Sequence, residues 1–291
     1  MTSLPCQNQQ NSKKGLFIST FRTLPYLIVP GILIAIWQIS SSLFHHSWIL
    51  PPPLSVLKVL IHPFRDILAS GSLFSNTSIS LLRVLIGFLA AALFGVSFGL
   101  LIGSSRWLRT LFAPLIELLR PLCPIAWMPF AIAVFKMRTL PQLFGVDYSG
   151  TIFDEVQTGM VFVLFWGAFF PILTNTCDGI IGVRKNYITL AKTLGAGKRD
   201  LLLRVYLPAA LPMILTGLRQ GISLCWFVLI AAEMLPGSSS GIGYLLFYAS
   251  DMAEMNVVIA CMVIIGLIGA LLNGVTLFLF KKFVSWHGEE V

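Results

Sequence analysis

Charged residues are scarce in this chain of 291 residues: they make up 11% of it, against 56% hydrophobic residues. Soluble domains carry roughly 25% charged residues, and the mean hydropathy of +0.86 is far above what such a domain shows. Apolar runs of about 20 residues recur, each long enough to cross a hydrocarbon core about 30 Å thick as a helix. The composition therefore excludes a soluble globular protein and predicts an all-α integral membrane protein.

Motifs for covalent or metal chemistry are also lacking. The five cysteines show no C-x-x-C spacing, and the four histidines have no acidic companions at ligand spacing. Residues 194–198 lack the first glycine and the hydroxyl residue of a phosphate-binding loop. We therefore expect no catalytic residue, no metal site and no cofactor. Any nucleotide chemistry has to come from another polypeptide.

Six apolar segments have the length of a membrane-spanning helix. Lys and Arg concentrate in the connections that six spans place on one side, and cytoplasmic loops carry this excess. Both termini are therefore expected in the cytoplasm. We divide the chain into a cytoplasmic leader (residues 1–23), a transmembrane domain (24–282) and a cytoplasmic tail (283–291). The predicted spans are residues 24–44, 80–103, 111–135, 158–176, 208–234 and 257–280.

The connection between the fourth and fifth predicted spans, residues 184–207, is too charged to enter lipid yet has helical periodicity. Leu190 and Leu194 share one helix face, and residues 195–197 interrupt the pattern with Gly-Ala-Gly. Pro208 stands where the first turn of a new helix tolerates proline. We predict two short helices joined by a turn and call residues 184–207 the elbow segment. Such a stiff amphipathic elbow suits docking into a groove of a soluble partner.

The elbow segment resembles the EAA loop of ABC-importer permeases, which has E-A-A, three residues, Gly, nine residues, a branched apolar residue, one residue and Leu-Pro. Thr189 and Leu190 replace the acidic residue and the first alanine. Residues 82–87, 119–121, 207–219 and 232–234 are similar to the nitrate, sulfonate, taurine and bicarbonate branch of that family. The residues that fall on the EAA pattern are Ala191, Gly195, Val205, Leu207 and Pro208.

This resemblance implies a permease subunit of a type I ABC importer in the bacterial inner membrane. It implies alternating access driven by a separate cytosolic ATPase, an extracytoplasmic solute-binding protein, pairing as a homodimer, and a small anionic cargo such as nitrate, sulfonate, taurine or bicarbonate. A membrane scaffold that docks a cytosolic protein without transport shares the elbow and stays open as the alternative. The expected ATPase-coupling residues are Thr189, Ala191, Lys192, Gly195, Ala196, Val205, Leu207 and Pro208.

Charged residues inside predicted spans are candidates for the solute pathway, because they are costly in lipid. Arg120 stands three residues after Glu117, so the two either neutralise each other or line the pathway. Arg219 has no acidic neighbour nearby, and Glu233 is a distant candidate partner. Arg219 therefore either reaches an acid on another helix or offers positive potential to an anion, and Arg120, Arg219 and Glu233 are the candidate pathway residues.

Glycines recur at every fourth position in the second predicted span, at Gly95, Gly99 and Gly103. Glycines at this spacing share one face and let two helix backbones approach closely. We therefore expect helix packing there, against a helix of the same chain or of a second protomer.

Overall fold

The computed structural model describes residues 28–43, 50–136, 138–143, 145 and 152–283. The predicted leader, and the predicted tail beyond its first residue, lie outside this part of the chain. Within it the chain is nearly all helical, which confirms the predicted fold class. The helices are α1 Ile28–Leu43, α2 Pro53–Ile61, α3 Leu73–Ser104, α4 Arg106–Leu119, α5 Met128–Phe135, α6 Leu140–Leu143, α7 Thr158–Ile181, α8 Lys185–Thr193, α9 Lys198–Asp200, α10 Leu207–Glu233, α11 Ile242–Asp251 and α12 Met255–Phe283.

Four helices of the described residues are long and apolar enough to cross a membrane. They correspond to the second, fourth, fifth and sixth predicted spans, and a bent helix pair brings the number to five if it counts as one span. The first predicted span corresponds to α1, which is apolar but shorter, and the residues before Ile28 lie outside the described part. The four spanning helices are Leu73–Ser104, Thr158–Ile181, Lys198–Glu233 and Met255–Lys282.

The third predicted span, residues 111–135, was wrong as a continuous helix. The chain bends by 88° between Arg106–Leu119 and Pro124–Phe135, with a 3-10 turn at Pro124–Trp127. Pro121 and Pro124 lie at the bend. Proline has no N–H to donate and its ring clashes with the carbonyl of the preceding turn, so a helix breaks there. The prediction rested on apolar length, which carries no information about a bend.

Helix α7 is the centre of the bundle, and α3 and α10 pack against it through glycines. Helix α3 runs parallel to α7, and a Cβ added to Gly99 would lie 2.6 Å from the Cβ of Thr176. Larger residues at these glycines would force the backbones apart. The packing face of α3 thus meets a helix of the same chain. The glycines in contact with α7 are Gly87, Gly95, Gly99 and Gly103 of α3 and Gly217 and Gly221 of α10.

Candidate functional site

The elbow segment turns sharply after α8. The backbone N–H of Ala196 donates to the carbonyl of Ala191, and that of Gly195 donates to the carbonyl of Lys192, both at 3.0 Å. These two bonds form a Schellman cap, whose left-handed residue is usually glycine. Gly195 fills that place with a φ of +82°. The spacing between Ala191 and Gly195 in the sequence is therefore the spacing of one helix cap.

The sequence predicted a separate second short helix beyond this turn, and that prediction was wrong. Lys198–Glu233 is one helix of 36 residues. Its first part contains a π-helical turn, Leu201–Tyr206, in which the N–H of Leu207 donates to the carbonyl of Leu202. Pro208 has no N–H, and in an α-helix its ring would clash with the carbonyl of Arg204. The wider π turn accommodates the proline without ending the helix. The elbow segment and α10 are thus mechanically continuous.

Apolar side chains are exposed on the elbow segment. Leu190 is 60% exposed and Leu194 is 79% exposed, although the surrounding residues are polar. A cavity of about 430 Å³ lies between α8 and the start of α10. Exposed apolar surface beside a cavity is typical of a protein contact. The cavity is lined by Tyr187, Leu190, Ala191, Leu194, Arg204, Val205, Pro208 and Ala209.

A larger cavity of about 660 Å³ lies between α10 and α12, roughly halfway along both helices. We call it the central groove. Away from their ends, α3 and α12 expose apolar side chains such as Leu93 and Leu267, whereas Gln220 in the groove is polar and exposed. Polar groups are costly against lipid, so this face suits water or protein better than lipid. The groove is lined by Thr216, Arg219, Gln220, Ser223, Leu224, Trp226, Phe227, Gly269, Ala270, Leu272 and Asn273.

The polar side chains of the central groove are held by hydrogen bonds between helices. The Nε of Arg219 donates to Oδ1 of Asn273 at 2.8 Å, which joins α10 to α12. The Nδ2 of Asn175 donates to Oε1 of Gln220 at 2.9 Å, which joins α7 to α10. These bonds hold one cationic and three amide side chains in place across α7, α10 and α12.

Glu233, at the end of α10 far from the elbow, forms a buried ion pair with Arg83 of α3. Nη1 of Arg83 lies 2.7 Å from Oε1 of Glu233, and both side chains are 0% exposed. Arg83 also donates to the carbonyls of Glu155 and Ser240 and to the Ser240 hydroxyl. The carboxylate of Glu233 also accepts from the Ser80 hydroxyl. Every charged group of this cluster is therefore hydrogen-bonded, as buried charges require.

The same cluster fixes the start of α11, and we call it the clamp. Three consecutive backbone N–H groups donate to it: Gly241 to Asn76 Oδ1 at 2.8 Å, Ile242 to Ser80 Oγ at 2.9 Å, and Gly243 to Glu233 Oε2 at 2.9 Å. The first N–H groups of a helix lack partners within the helix, and a carboxylate there is favoured by the helix dipole. The clamp thus joins the ends of α3, α10 and α11.

The three residues expected at the pathway lie in three different places. Arg219 lines the central groove, Glu233 lies in the clamp, and Arg120 is exposed at the end of α4. Among the described residues the ion pairs are Arg83 with Glu233 and the exposed Arg204 with Asp200. Neither Arg120 with Glu117 nor Arg219 with Glu233 is therefore an ion pair.

Sequence reasoning missed several residues of the clamp and of the groove. Arg83 was not among the candidate pathway residues, although an arginine inside the apolar run of α3 is itself a signal of a buried polar site. Asn76, Gln220 and Asn273 gave no such signal, because an isolated polar residue in an apolar helix has many explanations. Only the packing of α3, α7, α10 and α12 brings their partners within reach.

Comparisons with known proteins give a consistent result. The family model of the binding-protein-dependent transport system inner membrane component matches residues 91–286. A Methanocaldococcus jannaschii protein named as an ABC transporter permease is 42% identical over 279 residues, covering 95% of this chain and 98% of its own.

Two relatives have names that state a solute. The bicarbonate transport system permease protein of Synechococcus elongatus is 36% identical, covering 90% of this chain and 87% of its own. The nitrate import permease protein of Leptolyngbya laminosa is 32% identical, covering 90% and 88%. With several apolar spans and the EAA-like elbow, this chain therefore belongs to the binding-protein-dependent transport family and is a multi-pass ABC-importer permease of its nitrate, sulfonate, taurine and bicarbonate branch.

Proposed function

We propose that this chain forms one half of the pathway of an ATP-driven importer, which moves a small anion by alternating access. The observation that carries the proposal is the continuous helix Lys198–Glu233. Its 36 residues span about 54 Å at about 1.5 Å per residue. It begins at the elbow segment, passes the central groove and ends in the clamp. A force applied at the elbow by a closing ATPase would therefore reach the groove directly.

The elbow segment is the proposed docking site of a separate cytosolic ABC ATPase. Its exposed leucines and the cavity beside them supply an apolar surface, and the Schellman cap at Gly195 keeps that surface rigid. In the proposed orientation, the elbow and both chain termini lie in the cytoplasm. The excess of basic residues on that side favours the same orientation. The extracytoplasmic solute-binding protein then docks at the clamp end.

The proposed cargo is a small anion such as bicarbonate, nitrate, or a sulfonate. The names of the Synechococcus and Leptolyngbya relatives support an anion. The charge of the central groove supports it independently, because among the described residues that line it Arg219 is charged and none is acidic. A fixed positive charge in a partly dry cavity favours anions over cations.

A second copy of the chain is the proposed cover of the central groove. The groove is open along one side, and lipid against Gln220 and Arg219 would leave their polar groups without partners. Two copies facing each other would enclose one water-filled pathway between their grooves. We therefore expect a homodimer with two bound ATPase subunits.

Co-purification from the native host in mild detergent tests this proposal. A P-loop ATPase should co-purify with the wild-type chain and be lost from the Leu190→Asp and Leu194→Asp variants, because a carboxylate on the docking face must be desolvated. Ser104→Asp, which places a carboxylate at an exposed position outside this cavity, is the matched control. Absence of any ATPase from the wild-type chain would overturn the importer assignment.

Variants of Gly195 distinguish a permease that transports a solute from a scaffold that only binds the ATPase. Gly195→Val cannot adopt the left-handed conformation without strain, whereas Gly195→Asn can. A Cβ at this position meets no atom within 4 Å, so steric overlap does not confuse the comparison. We expect ATP-driven anion uptake to fall in Gly195→Val and to persist in Gly195→Asn. A wild-type complex that binds the ATPase but drives no solute uptake would support the scaffold instead.

A further inference from the structure

Arg219, Gln220 and Asn273 present hydrogen-bond donors to the central groove, while the amide oxygens of Gln220 and Asn273 already accept hydrogen bonds from neighbouring side chains. We infer that the groove is a binding site for a small oxyanion, held by Arg219, Gln220 and Asn273. The direction of transport rests on the proposed function. The site itself follows from the hydrogen bonds and the charge of the groove. It identifies two ligand residues, Gln220 and Asn273, that carry no charge.

The orientation of the Asn273 amide follows from its partner. Arginine has only donors, so the bond from Arg219 Nε at 2.8 Å requires the oxygen of Asn273. The Nδ2 group of Asn273 is left with its two hydrogens and has no hydrogen-bond partner among the described residues. The two Nη groups of Arg219 have no partner there either, so they remain available to a ligand in the groove.

The orientation of the Gln220 amide is fixed by Asn175, whose own amide is oriented by a backbone carbonyl. The Nδ2 group of Asn175 donates to the backbone carbonyl of Pro171 at 2.8 Å, which can only accept. The same Nδ2 group donates to Gln220 at 2.9 Å, so Gln220 must present Oε1 to it. The Nε2 group of Gln220, on an exposed side chain, is thereby left as a donor without a partner among the described residues.

The remaining polar groups of the groove do not offset these donors with charge. The Ser223 hydroxyl donates to the Arg219 carbonyl at 3.0 Å, and the Thr216 hydroxyl donates to the Pro212 carbonyl at 2.9 Å. Both therefore offer only neutral oxygen lone pairs. With no carboxylate in the lining, the groove lacks the anionic ligands that a desolvated cation needs.

These donors suit an anion with at least two acceptor oxygens. The planar fork of a guanidinium binds two oxygens of one oxyanion in parallel, which a single ammonium cannot do. A planar or tetrahedral oxyanion can accept from the Arg219 fork and still present another oxygen to an amide. The volume of about 660 Å³ leaves room for such an ion with part of its water.

Thiol labelling at Ser223 tests the site without any ATPase. In a background with Cys6→Ser and Cys123→Ser, the remaining cysteines Cys177, Cys225 and Cys261 are buried, and Ser223→Cys places a thiol in the groove. The dimer in lipid nanodiscs is treated with an anionic methanethiosulfonate (ethylsulfonate) or a cationic one (ethyltrimethylammonium). Each rate is normalised to that of a free thiol. Ser104→Cys, exposed at the end of α3, is the control position.

We expect the normalised anionic rate to exceed the cationic rate by about tenfold at position 223, as a nearby unit charge in a partly dry site requires, and to equal it at position 104. Arg219→Gln should abolish the preference. Nitrate, bicarbonate and methanesulfonate should slow labelling, whereas the neutral dimethyl sulfone should not. Arg219→Lys should keep the charge preference but lose most of the protection by nitrate, because the fork is gone.

Equal rates for both reagents at position 223, or no labelling by either, would overturn the inference. If nitrate still slowed labelling at position 223 in both the Arg219→Gln and the Gln220→Glu variants, the inference would be overturned as well, since the anion would then bind elsewhere. None of these results affects the co-purification of an ATPase. Conversely, a charge-selective groove in a chain that binds no ATPase would uphold the site and refute the importer.

Discussion

Replacing Glu233 with Gln should destabilise the protein far more than the near-identical shape of the two side chains suggests. Both carboxylate oxygens of Glu233 accept hydrogen bonds: Oε1 from Arg83 and Oε2 from the N–H of Gly243. Neither the Arg83 guanidinium nor the backbone N–H of Gly243 can accept a hydrogen bond. The NH₂ group of glutamine would therefore face a donor in either orientation, and Arg83 would keep a buried charge without a counter-charge.

The magnitude follows from the burial of the pair. Both side chains are 0% exposed and 2.7 Å apart, and removing one partner of such a pair costs about 3–5 kcal/mol. For a chain of this size that corresponds to a drop of roughly 10 °C in the unfolding midpoint. The double variant Arg83→Met/Glu233→Gln should recover only part of the loss, because the carbonyls of Glu155 and Ser240 still lose the hydrogen bonds that Arg83 donates.

The buried cysteines provide the assay. Cys225 and Cys261 are 0% exposed, so a fluorogenic maleimide reacts with them only when the helices separate. Cys123 is exposed and is replaced by Ser in every variant, as is Cys6. The control is Glu117→Gln on an exposed surface, where a change within about 0.5 kcal/mol is expected. If Glu233→Gln unfolds within 2 °C or so of that control, the clamp contributes little and the reasoning is refuted.

Three further predictions are measured by the thermal assay, by size-exclusion chromatography and by anion uptake. Gly241→Ala should destabilise about as much as Glu233→Gln, because Gly241 has a φ of +113° and an added Cβ would overlap the Glu233 carboxylate; a thermal midpoint equal to wild type would contradict this. Gly99→Leu should prevent the packing of α3 on α7 and abolish monodisperse elution in size-exclusion chromatography, whereas Gly266→Leu, with no atom within 4 Å of its Cβ, should elute as wild type. Deleting Leu203 should convert the π turn into an α-helix and bring the ring of Pro208 against the carbonyl of the preceding turn, which breaks or kinks the helix between the elbow and α10; we expect anion uptake to be lost, and unchanged uptake would show that the π turn is dispensable.

The sequence predicted the first helix of the elbow and the turn that ends it, because the signals for both are local. The spacing of Ala191 and Gly195 is set by one helix cap, and the periodicity of Leu190 and Leu194 by one helix face. The glycines of α3 predicted close packing for the same reason, although their partner helix could not be chosen. These features depend on residues within a few turns of one another.

The clamp and the groove could not be predicted in this way, because their residues are distant in the chain. Arg83 and Glu233 lie 150 residues apart, and Arg219 and Asn273 lie 54 apart. A charged residue in an apolar helix indicates that some partner exists, but not which one. The continuity through Pro208 was missed for another reason: a proline normally marks a helix start, and the π turn that accommodates it has no sequence signature of its own.

The distance between Arg83 and Glu233 along the chain also constrains how the protein is made. Helix α3 leaves the ribosome well before α10 is synthesised, so Arg83 lacks its partner Glu233 until α10 has been made. A chain cut short before Glu233 would expose this arginine permanently. Because an unpaired charge inside the membrane is costly, the bundle reaches its full stability only after synthesis has passed the end of α10.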